Sequence, residues 1–263
     1  MNERLLLGRS IETGSWIHKL DPRSKLIGML LYVAAILLSR SWAAMGLLAL
    51  FSVTVAASTR IPLKYYLKAA KPLRYLMLFI FIVQLISVKE GAVWLTIGPY
   101  SLHGEGLRLG AFAAARTFLL VAFTALLTFT TTPARLNQGL EGILSPLRFI
   151  GLSPGRFTLM VSLALRFIPT ILEEAQIILK AQASRGADLS ELPMKEKGRM
   201  LVTLLVPVIA GAFRRAQDLV YSMEARGFQM DAPRSRYRRL RWGGADTFFI
   251  AMFILLGIAA AIL

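Results

Sequence analysis

Apolar runs at roughly 26–38, 42–57, 75–88, 106–130 and 245–263 constrain this chain more than any other feature of its sequence. Each is a candidate membrane-spanning helix. Three are shorter than the ~20 residues that usually cross a bilayer, so they must recruit flanking residues or tilt within a bundle. Ser39-Arg40-Ser41 reads as a tight turn joining the first two runs into a helical hairpin. The runs account for 56% hydrophobic residues in a chain whose formal charge is +16. A soluble domain rarely combines the two. The expected fold class is an all-α integral membrane protein.

The basic residues orient it. Arg4, Arg9, Lys19, Arg23 and Lys25 precede the first run, and only Arg40 lies in the first hairpin turn. Arg60, Lys64, Lys68, Lys71 and Arg74 fill the next loop, and only Lys89 lies in the loop at 89–105. This alternation obeys the positive-inside rule with a cytoplasmic N-terminus. From residue 131 onward come 17 of the 31 basic residues, so this block is expected to be cytoplasmic apart from the last span. Two more apolar stretches, 157–172 and 200–213, could form a spanning hairpin. That would place Lys180, Arg185, Lys195, Lys197 and Arg199 outside, against the same rule. A cytoplasmic or interfacial helical pair under the membrane bundle is the favoured reading.

Several chemistries find no support. There are no cysteines, which excludes disulfides and thiolate metal sites. His18 and His103 are expected to be interfacial hydrogen-bonders rather than metal ligands. The N-terminal "MNERLLLGRS" has an apolar core of three leucines, too short for a signal peptide. No phosphate loop, HExxH, GxSxG or useful carboxylate pair occurs, so neither ATP hydrolysis nor other covalent chemistry, and no cofactor, is expected. Glu173, Glu174 and Glu224 are expected on solvated helix faces. The basic run "RSRYRRLRW" (234–242) precedes the last apolar run, where it would anchor to anionic headgroups; no aromatic platform for nucleic-acid bases accompanies it.

One pattern occurs twice. Ala175-Gln176 is followed by Arg185-Gly186, and Ala216-Gln217 by Arg226-Gly227, at the same spacing. The residues from Pro169 to Arg185 and from Pro207 to Arg226 read as helices of ~24 Å and ~29 Å. Gly186 and Gly227 are their stops. Each Arg then sits on a helix tip. A single such Arg would be ordinary capping. Two similar tips, each offering a planar hydrogen-bonding fork, suggest two similar receptors. Arg108, Arg116 and Arg166 interrupt apolar segments. Arg108 can snorkel; Arg116 lies too deep for that and is expected to pair within the bundle or with a partner subunit.

"GRSIETGSWIHKLDPRSKL" (8–26), "LTFTTTPARLNQGLEGILSPLR" (127–148), "LALRFIPTILEEAQIILKAQASRGADL" (163–189) and "PVIAGAFRRAQDLVYSMEARGFQ" (207–229) together resemble the EcfT family. These are transmembrane coupling subunits of energy-coupling factor (ECF) transporters, related to the Q subunit of cobalt transporters. The resemblance covers nearly the whole chain and is closest to the shared form, in which one coupling subunit serves several substrate-binding subunits. It implies an L-shaped fold: a membrane bundle plus a cytoplasmic coupling domain of long crossed helices. It implies residues 1–130 as N-terminal segment and membrane helices, 131–232 as coupling domain, and 233–263 as basic segment and last span. The implied partners are two ABC ATPase subunits, identical or related, an exchangeable S-component that binds the vitamin, and the lipid bilayer of a prokaryotic cell membrane. Carried over, the docking residues are Ala183, Ser184, Arg185 and Gly186 in one motif, and Glu224, Ala225, Arg226 and Gly227 in the other. Ser184 stands where Ala is commoner. The rival reading is a self-sufficient permease, expected to show broken helices or internal symmetry within its membrane part; the only repeat found lies at 175–186 and 216–227.

Overall fold

The computed structural model describes residues 14–88, 90, 93–97, 100–146, 153–184, 193–229 and 240–263. Its helices are α1 (Trp16–Lys19), α2 (Pro22–Leu38), α3 (Trp42–Ser58), α4 (Leu63–Ala70), α5 (Arg74–Ser87), α6 (Gly104–Thr130), α7 (Pro133–Leu144), α8 (Pro154–Ser184), α9 (Met194–Ala225) and α10 (Gly244–Ile262). The all-α membrane class holds, with one addition. The segment before α6 carries a small antiparallel hairpin, β1 (Val93–Ile97) with β2 (Tyr100–His103). No apolar periodicity announced it.

Several helices outgrow the apolar runs that predicted them. A 3-10 turn at Lys71–Leu73 links α4 to α5, and residues Lys64–Ser87 together form a 24-residue candidate span. The basic loop expected before residue 75 is thus largely helical. Gly104–Thr130, Pro154–Ser184, Glu196–Ala225 and Gly244–Ile262 are also long and apolar enough to cross a membrane. The chain is a multi-pass membrane protein. Pro169 and Pro207, expected at helix starts, lie inside α8 and α9 instead. Each lacks an N–H for the preceding turn, a local defect that a long helix carries when its other bonds remain.

The described residues divide into two compact units. One comprises Met1–Leu144 with Leu240–Leu263, the other Ser145–Arg239. The first unit is built around Tyr32 on α2, which is fully buried. Its ring stacks on Phe123 of α6 at 3.9 Å and meets Phe253 of α10 edge-on at 6.4 Å. Phe51 of α3 closes the cluster against Phe253 at 4.9 Å. The Tyr32 hydroxyl is bonded to Ser52 Oγ and donates to the Leu48 carbonyl on α3. Aromatic packing and a satisfied phenol therefore hold four helices together. Gly106 and Gly110 bring α6 close to α5: a β-carbon at either would come within 3.1 Å of α5 atoms. The small-residue stretch 109–116 is in this part a packing device within the bundle.

At one end of this unit three distant segments are locked. Asp21 caps α2 by accepting from the Arg23 N–H at 2.9 Å, with Pro22 in the first helical turn. Asp246 Oδ1 accepts from the Asp21 N–H at 2.8 Å and Ser24 Oγ at 2.7 Å, and its Oδ2 accepts from the Gly243 N–H at 2.9 Å. Lys25 Nζ donates to the Thr130 carbonyl at 3.2 Å and to Thr131 Oγ1 at 3.1 Å. The segments "LDPRSKL" and "LTFTTT" thus meet through Lys25, and the first is tied to the start of α10 through Asp246. The residue types in those segments follow from this: a cap, a proline that needs no donor, a hydroxyl and a cation.

Candidate functional site

The second unit consists chiefly of α8 and α9, each over 30 residues long. They touch over a short stretch, so they cross rather than run side by side. Glu174 of α8 and Arg215 of α9 form an ion pair at 3.0 Å across the crossing. Gly211 makes room for it: a β-carbon there would lie 2.6 Å from Glu174 Oε1. Glu174 is therefore not on a solvated face. It is half-buried against the neighbouring helix, in place of the exposed position expected for it.

Glu174 immediately precedes Ala175-Gln176, and Arg215 immediately precedes Ala216-Gln217. The two partners thus occupy equivalent positions in the two repeats, each eleven residues before its tip arginine. Eleven residues of helix span ~16 Å. The crossing lies at matched distances along the chain from both tips. The opposite charges at these matched positions are a signal that sequence reading could have used, because the repeat alignment alone brings them into register.

The second tip is well defined. Arg226 is the C-cap of α9, and Gly227 follows with φ +69°. The Gly227 N–H donates to the Glu224 carbonyl at 2.9 Å and the Phe228 N–H to the Met223 carbonyl at 3.0 Å. These two bonds are the Schellman closure, which requires a left-handed residue and so favours glycine. Glu224, Ala225, Arg226 and Gly227 are all exposed, and no ion pair engages Arg226 among the described residues. At the first tip, Ala183 and Ser184 end α8 and are likewise exposed, with Ser184 Oγ donating to the Lys180 carbonyl at 3.1 Å. Arg185 and Gly186 lie outside the described residues.

The flanks of both helices are apolar and uncovered. Val202, Val206 and Phe213 of α9 are 64%, 67% and 67% exposed, and Phe157, Met160 and Ile177 of α8 are exposed as well. Surface of this extent on two long helices marks an interaction face. Arg166 is exposed on α8, and nothing in the structure explains its place there.

Arg116 stands in the first unit. Its Nη2 donates to the Ser39 carbonyl at 2.7 Å, at the C-cap of α2, and its guanidinium lies 4.9 Å from the Phe112 ring centroid. A cation there meets the negative end of the helix dipole. His18 Nδ1 pairs with Ser15 Oγ at 2.6 Å, and His103 is the buried N-cap residue of α6. Among the described residues no group of three or more metal-ligating side chains comes together.

The chain matches the cobalt transport protein family, CbiQ, over residues 13–237. It is similar to the energy-coupling factor transporter transmembrane protein EcfT of Bacillus subtilis, 39% identical over 256 residues and 97% of each chain. It is 41% identical over 246 residues to the EcfT protein of Heliobacterium modesticaldum, covering 94% of this chain and 92% of that one. To the EcfT protein of Exiguobacterium sibiricum it is 37% identical over 254 residues, 97% of each. With matches of this identity along nearly its whole length, the chain belongs to the EcfT family of transmembrane proteins, within the cobalt transport protein family, and is a component of an energy-coupling factor transporter.

Proposed function

We propose that the chain is the coupling subunit of an ECF-type ABC importer, carrying ATP-driven motion from two cytoplasmic ATPase subunits to a substrate-binding S-component for vitamin or micronutrient uptake. The observation that carries this reading is the equivalence of the two tips about the Glu174–Arg215 crossing. Two like contacts on matched arms suit two like receptors. In this reading Ala183, Ser184, Arg185 and Gly186 dock on one ATPase, and Glu224, Ala225, Arg226 and Gly227 on the other. An arginine fork fits a groove lined with carboxylates or carbonyls, where a lysine would hold less well. The chain supplies no phosphate loop, so its partners hydrolyse the ATP.

Motion is transmitted because helices are stiff and cross at one point. When the ATPases close, the tips are drawn together, and the arms turn about the crossing. The apolar flanks of α8 and α9 turn with them and carry the S-component, which packs there. Both helices are long and apolar enough to span, yet the basic residues between and around them favour a cytoplasmic or interfacial position. The N-terminus and coupling region are cytoplasmic on the same rule.

Replacing Arg185 and Arg226 together with Ala tests the assignment. The ATPases then no longer copurify and uptake stops, while the thermal unfolding of the chain is unchanged. Normal copurification and transport by the double variant would remove the docking role. The permease reading is separated by assaying the purified chain alone for vitamin binding; tight binding without any partner would favour it.

A further inference from the structure

The α2–α3 hairpin is short for a membrane. Each helix has 17 residues, about 25 Å, against a hydrocarbon core of about 30 Å. The 27 residues of α6 make ~40 Å. Arg116, twelve residues into α6, bonds to the Ser39 carbonyl at the hairpin turn. So α6 runs about 18 Å past that turn. Thinning is one way a bilayer meets such a mismatch, and it draws headgroups down to the level of the turn.

At that level lies a recess of about 310 Å³, lined by Arg40, Arg108, Arg116, Gln84, Ser39 and Trp42 among others, with three arginines and no acidic side chain. Arg108 shares its charge with Glu105 at 3.3 Å, and both are exposed. Arg40 and Gln84 have no side-chain partner among the described residues, and the buried Nε of Arg116 has no acceptor. Below the recess an apolar groove of about 400 Å³ runs between α3 and α6, lined by small residues such as Gly46, Ala49, Ala115 and Ala122. Trp42 lines both spaces and meets Phe112 edge-on at 5.4 Å. The ligand these spaces complement has an anionic head and an apolar tail.

The geometry points to a site for one anionic phospholipid, its phosphate held by Arg40 and Arg108 with the Arg116 charge behind them, its glycerol region against Trp42, and one acyl chain in the α3–α6 groove. Guanidinium forks bind phosphate oxygens by charge-assisted bonds, and Gln84 can donate to the same group. The occupied site would fill the space that the short hairpin leaves beneath the projecting end of α6. It is independent of the docking of ATPases.

The test uses the full chain, delipidated in neutral detergent and titrated with phosphatidylglycerol or phosphatidylcholine of identical chains, with bound lipid counted by native mass spectrometry. Phosphatidylglycerol should bind at least about tenfold more tightly. The R40Q/R108Q pair, two exposed positions, should abolish the preference, bringing phosphatidylglycerol to the affinity of phosphatidylcholine; R40K/R108K should keep it. A β-carbon at Gly46 meets nothing within 4 Å, so G46L projects into the groove and should weaken both lipids alike. Equal affinity of the two lipids for the unaltered chain would overturn the site. So would a preference that survives R40Q/R108Q, or lipid binding that G46L leaves intact. A photo-crosslinker at Val53, which lines the groove and is 53% exposed, should capture lipid in the assembled transporter. Capture of a partner polypeptide there instead would make the groove a protein interface and end the proposal.

Discussion

Asp246 shows how much one side chain can hold. It is buried and accepts from two backbone N–H groups and one hydroxyl, joining residues more than two hundred positions apart. Charge-assisted bonds of this kind contribute about 1.5–3 kcal/mol each, and orphaned donors add a penalty. Asp246→Ala is therefore expected to destabilise the chain by at least about 3 kcal/mol. The fall is measured by thermal unfolding in detergent micelles, with Ser24→Ala giving a smaller loss. Nothing in the sequence near Asp246 announces this role, since an acidic residue in the first turn of α10 reads as ordinary dipole complementation. Gly227 is the opposite case. Its place after an arginine at the end of a helical pattern predicts a stop, and the positive φ and paired bonds supply the reason.

Among the elements, α8 and α9 matter most. Their ion pair is partly exposed, so its coupling energy is modest, ~1 kcal/mol. Its value lies in fixing where the helices cross. Glu174→Arg alone should set two cations against each other at the crossing and lower ATP-driven uptake. Arg215→Glu alone should set two carboxylates together there and lower uptake likewise, and the charge-swapped double variant should recover most of the loss. A double-mutant cycle on uptake rates reads the coupling directly. If the double variant is as poor as the worse single, the pair does not position the arms. Helix ends were legible in outline, yet the starts at Pro169 and Pro207 were not. Proline is a boundary signal only on average, and a helix of over 30 residues absorbs one missing donor.

For the whole molecule the charge asymmetry predicts an orientation. The chain has no cysteine, so single cysteines report cleanly on access. Gly198→Cys on α9 stands in open space, and Arg40→Cys marks the α2–α3 turn. In intact cells a membrane-impermeant thiol reagent should modify the residue 40 variant and spare the residue 198 variant, which becomes reactive only after permeabilisation. Modification of position 198 from outside would instead make α8 and α9 a spanning hairpin and place the Arg185 tip outside, away from any cytoplasmic ATPase.

The sequence by itself determined the class, the helical segments, the charge asymmetry and the doubled arginine-glycine tip. These are local or additive properties: apolar length, residue counts and short-range spacing carry over to the folded chain with little change. Tertiary structure alone decided the rest. It brought Asp246 to Asp21 and Ser24, and Lys25 to the Thr130 carbonyl. It set Arg116 under the end of α2, and Glu174 against Arg215 beside Gly211. Each of these contacts joins segments far apart in the chain. Such pairings depend on how whole helices pack, which no short window of residues contains.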